Sequence, residues 1–580
     1  MSSTSARFLS ALWSDRQLSV LCLNPALLRL TLEVSSGQVP LSTGVGGVLV
    51  DALDQFLDQR NISPEFAVKN RKKFRVETDS ILRTSAGKMF EAWVGDKSRG
   101  SPEISILELD QVLRLQFAGR PFEERARLAI DYINFFRAHA RILVSINPED
   151  VTFAHLPLFC FFLGKWLVEE ASDPVDTFTE HEIVRDAIRI WAEAEIHLLR
   201  SNNVTMCVAA LLASSVPTAR VLGAELMTFC PASRVLGAAA FHRKLVEAAL
   251  TVVDEVTTGV FDLELRVAAR FTAWDLRKSD TVETVKRELF IRVPSARHKI
   301  GTMRSYEPII SRKHLQLPWR SESTVLIDDF LVYAHPVTNA EFKAFIDAGG
   351  YEESRWWESR EARLWQQKDA EFMSLLRSNV QSSMTVHFEK ELASGSLTER
   401  FLAEFVELML CRNRPLYWLD PLKNRAIQPV VGINIWEAEA FCSWCSETLD
   451  IDCGLPTEDQ WEAACLGGNL NVDFPWGSNV TPTPAVVRPH ALLHAAPVGM
   501  FPNDTWTGGP VDMVGNVWEW TSSLANLQSE QSCNAPQDRI VKGGSWFTTE
   551  TIATNPAFRS FDPPCNAYID LGFRVFARSR

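Results

Sequence analysis

The sequence predicts an α+β protein in which an all-α front is followed by a mixed, strand-bearing back. Three observations carry this. Thirteen of the 18 Trp lie after Leu317 and five before it. The front repeats Leu, Ala, Val and Arg at helical spacing, whereas the back breaks into short runs punctuated by Trp, Gly and Pro. The run Asp512-Met513-Val514-Gly515-Asn516-Val517-Trp518-Glu519-Trp520 is followed by Lys542-Gly543-Gly544-Ser545-Trp546 and then by Leu571-Gly572-Phe573-Arg574. Two Trp around one Glu suit a carboxylate held against an aromatic wall. Two Gly before Ser-Trp suit a strand where backbone meets backbone too closely for a Cβ. The final Gly-Phe-Arg-Val-Phe reads as a last strand closing a sheet.

The chain has 580 residues, enough for several domains. Hydrophobic residues at 46% and charged residues at 23% are those of an ordinary globular chain. A net charge of -13 argues against a nucleic-acid footprint. Leu156 to Leu167 is the most apolar run; Lys165 interrupts it, and it is shorter than the ~20 residues of a membrane helix. Met1 to Arg16 lacks a basic start followed by an apolar core, so cytoplasm is the expected setting. Eleven Cys in this length do not make a disulfide scaffold. Cys442 and Cys445 are spaced C-x-x-C inside a helical pattern with no second pair at zinc spacing, and read as buried thiols.

From the N-terminus, Asn24-Pro25 can cap and start a helix whose apolar face is Leu27, Leu28 and Leu30. Val151 to Leu167 reads as a short strand entering a buried helix. These stretches resemble the region after the nucleotide-binding core of NACHT-type signalling ATPases. The resemblance spans about Ser5 to Ala171 and implies a helical, winged-helix-like region over 1–171. No G-x-x-x-x-G-K-[ST] loop is present to cradle phosphates, so no ATP is expected to bind. The chain then looks like the rear half of such a protein, decayed, split or truncated.

Residues 172–300 continue the helical pattern, as in Ile188 to Leu199 and Leu263 to Trp274, with apolar residues three and four apart. A short helical-repeat array is the expectation. His155 and His197 stand alone in apolar stretches and read as core histidines. A boundary is expected between Pro294 and Ser323.

In the back part, Thr338 and Glu341 have capping-box spacing, and Gly349-Gly350 stop the helix they open. Thr457 and Gln460 repeat the device. Trp436, Ala440 and Trp444 line one helix face between them. Pro336-Val337-Thr338-Asn339, Gln428-Pro429-Val430-Val431-Gly432, Leu455-Pro456-Thr457-Glu458, Phe474-Pro475-Trp476-Gly477, the Trp-Glu-Trp run, Gly543-Gly544-Ser545-Trp546 and Gly572-Phe573-Arg574 occur in this order. The order resembles the formylglycine-generating enzyme family, the sulfatase-modifying-factor variant of the C-type lectin fold, over 320–580. Residues 351–419 exceed the family's usual length there and read as an inserted helix pair.

The resemblance implies chemistry that this chain departs from. The family's copper-binding thiolates fall on Thr548 and Ala553, neither of which suits a soft metal, so no copper is expected. Cys533 and Cys565 do not reproduce the spacing. An iron-using branch carries His-x-x-x-His-x-Glu; Glu180-His181-Glu182 lacks the paired His. The family's structural calcium would fall on Glu519 with the carbonyls of Val514, Gly515 and Val517, oxygen donors that suit the ion. Relatives diversified by bacterial retroelements display ligand-binding residues between the Gly-Gly-Ser-Trp and Gly-Phe-Arg strands. Here that segment offers Phe547, Thr549, Thr551, Phe558, Phe561 and Tyr568, aromatics among short polar groups as in recognition surfaces. The reading is a noncatalytic protein of bacterial sensing or defence. Its C-terminal face would bind a protein partner or ligand, and its front part would couple to a partner such as a separate NTPase or effector subunit. A metal-dependent oxidase with a relocated site is the alternative.

Overall fold

A computed structural model describes residues 71–95, 103–170 except 135, 138–142, 148 and 154–155, 207–228 except 209–210 and 213, 236–277, 285–301 and 322–578 except 388–391, 394–397, 468–473, 478–484, 488–491, 493, 502–503, 526–535 and 549–554. The chain divides into two compact units, Met1–Lys278 and Ser279–Arg580. Leu21 to Thr31, His155, Glu180 to Glu182, Ile188 to Leu199 with His197, and Cys533 lie outside the described residues.

The first unit is not all-α. Its described elements run α1 (Arg71–Gly95), β1 (Ile104–Ser105), α2 (Ile106–Gln116), α3 (Phe122–Asn134), β2 (Leu143–Ser145), β3 (Asp150–Phe153) and α4 (Leu156–Glu170). The strands form one antiparallel sheet in the order β1-β3-β2. Two-residue β1 is too short to leave an alternation in the sequence, which is why helical patterning hid it. Ser105 ends it and starts α2 through a capping box with Glu108. Then come α5 (Pro217–Met227), α6 (Leu236–Thr258) and α7 (Leu263–Arg277), three helices of unequal length in mutual contact. Their buried residues, Val252, Val253 and Val256 among them, belong to the same hydrophobic core as those of α1 to α4. No described helix is long and apolar enough to cross a membrane.

The second unit begins earlier than the sequence boundary suggests. β4 (Phe290–Val293) and β5 (Ala296–Ile300), read above with the helical region, pair with β7 (Phe330–Tyr333) and β6 (Ser323–Ile327). These strands precede any family landmark, so no motif marked them. The helices α8 (Asn339–Asp347), α9 (Arg360–Gln366), α10 (Ala370–His387), α11 (Glu399–Leu410) and α12 (Ile435–Leu449) follow. Then come β8 (Cys453–Gly454), α13 (Glu458–Leu466), β9 (Trp518–Leu524), β10 (Arg539–Lys542), β11 (Ser560–Asp562), β12 (Leu571–Gly572) and β13 (Phe576–Arg578). Both expected capping boxes form, at Thr338–Glu341 and Thr457–Gln460. Among its described residues the 351–419 stretch carries α9, α10 and α11, with Arg377 of α10 paired to Glu407 of α11 at 2.8 Å.

Two four-stranded sheets result, ordered β11-β10-β9-β12 and β4-β7-β13-β8. The Gly-Phe-Arg segment therefore serves both. Leu571–Gly572 joins β9 in parallel, and Phe576–Arg578 crosses into the other sheet. Gly572 makes this possible, since a Cβ there would stand 2.6 Å from the Val430 carbonyl oxygen.

Candidate functional site

Successive side chains of a strand point to opposite sides, so β9 sends Glu519 one way and Trp518 and Trp520 the other. Glu519 is buried between β10 and β12, opposite Lys542 and Gly572. The Trp461 indole N–H donates to its Oε2 at 2.7 Å. The Arg574 guanidinium donates to its Oε1 at 2.9 Å and is itself completely buried. Arg574 also donates to the carbonyls of Tyr333 at 3.1 Å and Val511 at 2.8 Å. One residue thus ties both sheets and the loop before β9 together. Beside it, buried Lys542 reaches Glu462 at 3.4 Å and Glu458 at 3.7 Å. Burying these charges costs several kcal/mol each unless they are paired, and here they are paired.

This bears on calcium. Val514, Gly515 and Val517 are buried, in a backbone where Gly515 and Asn516 have φ of 76° and 60°. The Gly515 N–H is spent on the Gly543 carbonyl at 2.8 Å, and the Asn516 N–H on Val486 at 2.9 Å. Glu519, the expected carboxylate, is paired with Arg574 and accepts from the Trp461 indole. Two further buried carboxyl groups, Asp504 and Asp512, lie in the same corner. The Asp512 N–H donates to Asp504 Oδ2 at 2.8 Å, and the Gly499 N–H to Asp512 Oδ2 at 2.6 Å. Asp504 Oδ1 is buried without a hydrogen bond. Burial pushes the Asp504 carboxyl well above the usual range, and the Asp512 charge beside it adds to this. Burial likewise raises Asp512 to about 6, against the opposing Gly499 N–H and Arg574. Among the described residues no three His, Cys, Asp or Glu converge as a side-chain cage.

The candidate ligand face lies at the Gly-Gly-Ser-Trp turn. Gly543 has φ of 96°, and a Cβ on it would stand 2.9 Å from the Met513 carbonyl. The turn that follows is braced by Thr548, whose hydroxyl accepts from the Ser545 N–H at 3.0 Å. The Ser545 hydroxyl is 2.6 Å from Asp570 Oδ2, which brings the turn against the Tyr568–Leu571 segment. Phe547 stands out from the turn, 57% exposed, packed edge-on against buried Trp546.

The six sequence-selected residues do not behave alike. Phe547 is exposed. Phe558 is half-buried with its ring 6.0 Å from that of Trp518. Tyr568 packs partly against the core, and its hydroxyl accepts from the Asn566 amide at 2.7 Å. Phe561 sits on β11, at the opposite edge of the sheet from β12. Thr549, Thr551 and Ala553 lie outside the described residues.

Sequence reasoning missed two members of this face. Tyr417 packs where a Cβ on Gly432 would lie 2.6 Å from its ring, and the Gly432 N–H donates to the Tyr568 carbonyl at 2.9 Å. Burial pushes the Tyr417 phenol up to about 12, with the Asp570 charge adding to it. Asp570 itself is the second. The signal available was the aromatic pair Tyr417-Trp418 closing the inserted segment, which was assigned to the insertion instead.

Burial holds the nearby thiols protonated. The Cys565 thiol rises to about 12, and those of Cys442 and Cys445 rise well above the usual range. A buried protonated thiol is neither a nucleophile nor a ready metal ligand.

Known proteins place this unit. The sulfatase-modifying factor enzyme 1-like domain matches residues 278–579. Hercynine oxygenase of Mycobacterium tuberculosis is 28% identical over 269 residues, 44% of this chain and 54% of that protein. This chain therefore spans about half the length of that relative. Formylglycine-generating enzyme of Mus musculus is 26% identical over 281 residues, 44% of this chain and 67% of that protein. Inactive C-alpha-formylglycine-generating enzyme 2 of Bos taurus is 32% identical over 181 residues, 27% of this chain and 55% of that protein. With the domain match covering more than half of its length, the chain belongs to the sulfatase-modifying factor enzyme 1-like family.

Proposed function

We propose that this chain is a noncatalytic member of its family that recognises a ligand or partner protein at the face around Phe547. The observation that carries the reading is Thr548. It stands where the resemblance puts the first copper thiolate, and its hydroxyl is committed to bracing the turn through Ser545. A hard hydroxyl in that role is a poor donor for copper(I), which prefers sulfur. A protein named as inactive among the relatives agrees with a fold kept for binding, although most of the relatives are named as enzymes. Exposed Phe547, on the turn that Ser545 ties to Asp570, offers aromatic contact area. The first unit is then the part that couples to a partner, a separate NTPase or effector subunit in bacterial sensing or defence. That last step rests on the sequence resemblance alone.

The test is chemical. Copper-loaded protein is incubated with a Cys-containing peptide under oxygen, and aldehyde formation is followed by mass spectrometry. No turnover above the metal-only control is expected. Turnover above it overturns the reading in favour of an oxidase with a relocated site.

A further inference from the structure

We propose that Lys368, Arg412 and Trp365 form a binding site for one small monovalent anion, of the chloride class, within the inserted helical stretch. The site lies where the ends of α9 and α11 meet α12. Lys368 follows α9 in the left-handed region, with φ of 57°, an uncommon conformation for a residue with a Cβ. Its ammonium stands over the Trp365 ring, 3.6 Å from the centroid. It donates to the carbonyls of Arg412 at 3.0 Å and Leu410 at 3.4 Å. The Arg412 guanidinium stands over the same ring, its carbon 5.4 Å from the centroid. Two cations thus share one aromatic side chain. Against them stands the buried carboxylate of Glu437, which accepts from the Arg412 guanidinium, from the Tyr351 hydroxyl at 2.5 Å and from the Asn434 N–H at 2.8 Å. One positive charge is left over. Burial pushes the Lys368 amine down to about 8, with Glu437 opposing and Arg412 adding to the fall.

Two donors show what is missing. Arg412 spends its terminal nitrogens on the Met409 carbonyl and on Glu437, while its Nε is buried with no hydrogen bond among the described residues. The indole Nε1 of Trp365 is buried and unpartnered in the same way. Lys368 keeps a third N–H beyond the two it gives to carbonyls. Orphaned buried donors need an acceptor. A surplus positive charge in low dielectric needs a negative one. Water supplies the acceptor without the charge, whereas a monovalent anion supplies both. Phosphate or sulfate would bring a second negative charge, and more acceptor oxygens than these donors can satisfy. Trp365 is completely buried and Arg412 is 7% exposed, so a free ion fits better than a carboxylate on a bulky carrier.

The test uses the full chain, with chloride as the probe and gluconate replacing it at constant ionic strength. Binding is read from the excess line width of the chloride NMR signal, and melting is followed in both salts. Wild type is expected to broaden the signal saturably and to melt higher in chloride, because a ligand held only by the native state stabilises it by mass action. Lys368→Met removes the surplus charge and should weaken chloride by about tenfold, as for loss of a hydrogen bond to a charged group. Trp365→Phe keeps a ring beneath Lys368 but no N–H, and should weaken it by about fivefold. Lys343→Met, at an exposed lysine paired with Asp347, should bind chloride as wild type does. Two outcomes overturn the proposal. Wild type shows no saturable broadening, which leaves water on the two donors. Or Lys368→Met and Trp365→Phe broaden the signal as wild type does, which places the ion elsewhere. If one of these variants does not fold by circular dichroism, the other decides. If neither folds, a bromide-soaked crystal of wild type decides: an anomalous peak at Arg412 Nε is expected, and its absence overturns the site.

Discussion

The two sides of strand β9 solve burial in opposite ways. On one side Trp518 and Trp520 enter an apolar layer with Phe573, Val541 and Leu571, where shape and volume matter. On the other side Glu519 enters a polar layer with Trp461, Arg574 and, one strand over, Lys542, where every group needs its partner. An apolar layer degrades in proportion to what is removed. A buried charge pair fails at once, because one survivor is left unpaired in low dielectric. The comparison gives a ranking that mutation can break.

The polar side should fail as hard as the largest core truncation, and as a coupled unit. Arg574→Met leaves Glu519 charged and buried, and should cost about 3–5 kcal/mol in denaturant unfolding. Replacing both, Glu519→Leu with Arg574→Met, should cost less than the sum of the two single changes, since the second removes the charge the first exposed. Additive losses would show that the pair is not coupled.

On the apolar side, Trp520→Ala should cost about 3–5 kcal/mol through lost burial and the cavity left behind. Trp520 is fully buried, with its indole N–H on the Ile433 carbonyl at 3.2 Å. Trp518, on the same side at the start of the strand, is only half-buried and should cost clearly less. Equal losses at the two positions would erase the distinction between core and margin. Gly543→Ala falls between, at about 1–3 kcal/mol, because an Ala at φ of 96° is strained and its Cβ meets the Met513 carbonyl.

How much of this was legible follows the range of each interaction. The capping boxes at Thr338 and Thr457 were legible because partner and cap lie three residues apart. The burial of Trp436 and Trp444 was legible because helical period exposes one face. The Glu519–Arg574 pair was not, because 55 residues separate the partners and nothing local marks them. Calcium is expected at Glu519 from resemblance, and the Arg574 paired with that carboxylate appears only in three dimensions. Tyr417 was missed for the same reason, since Gly432 and Asp570 reach it from distant parts of the chain. Strands β1 and β12, with two residues each, are too short for any period to show.

At the exposed end of the comparison stands Phe547. At 57% exposure its removal should change unfolding free energy by no more than about 0.5 kcal/mol. If the face binds through it, Phe547→Ala should weaken a captured partner by on the order of 2 kcal/mol, about thirtyfold. Tyr568→Phe is the matching control, since it removes only the bond from Asn566 and keeps the packing. A Phe547→Ala variant that unfolds would place the residue in the core, and one that binds as wild type would make the turn inert.

The smallest effect belongs to His298, on β5 of the same unit. It is 2% exposed, and no hydrogen bond of ordinary geometry reaches either ring nitrogen. Burial lowers its pKa from the ordinary 6.5, with the Pro294 backbone opposing weakly. The native ring therefore stays neutral at a pH where the unfolded ring takes a proton. The unfolded state binds more protons in that interval, so stability rises with pH there. The contribution is complete above 6.5 and is lost as pH falls below 6.5 toward the lowered native value. Unfolding midpoints measured between pH 7.5 and about 5 should decline with a slope of up to one proton from this residue. His298→Leu, which cannot titrate, should flatten that share of the decline while leaving the midpoint at pH 7.5 nearly in place. An unchanged slope in the variant would mean that the ring is already protonated and paired in the native fold, or that it remains neutral in both states.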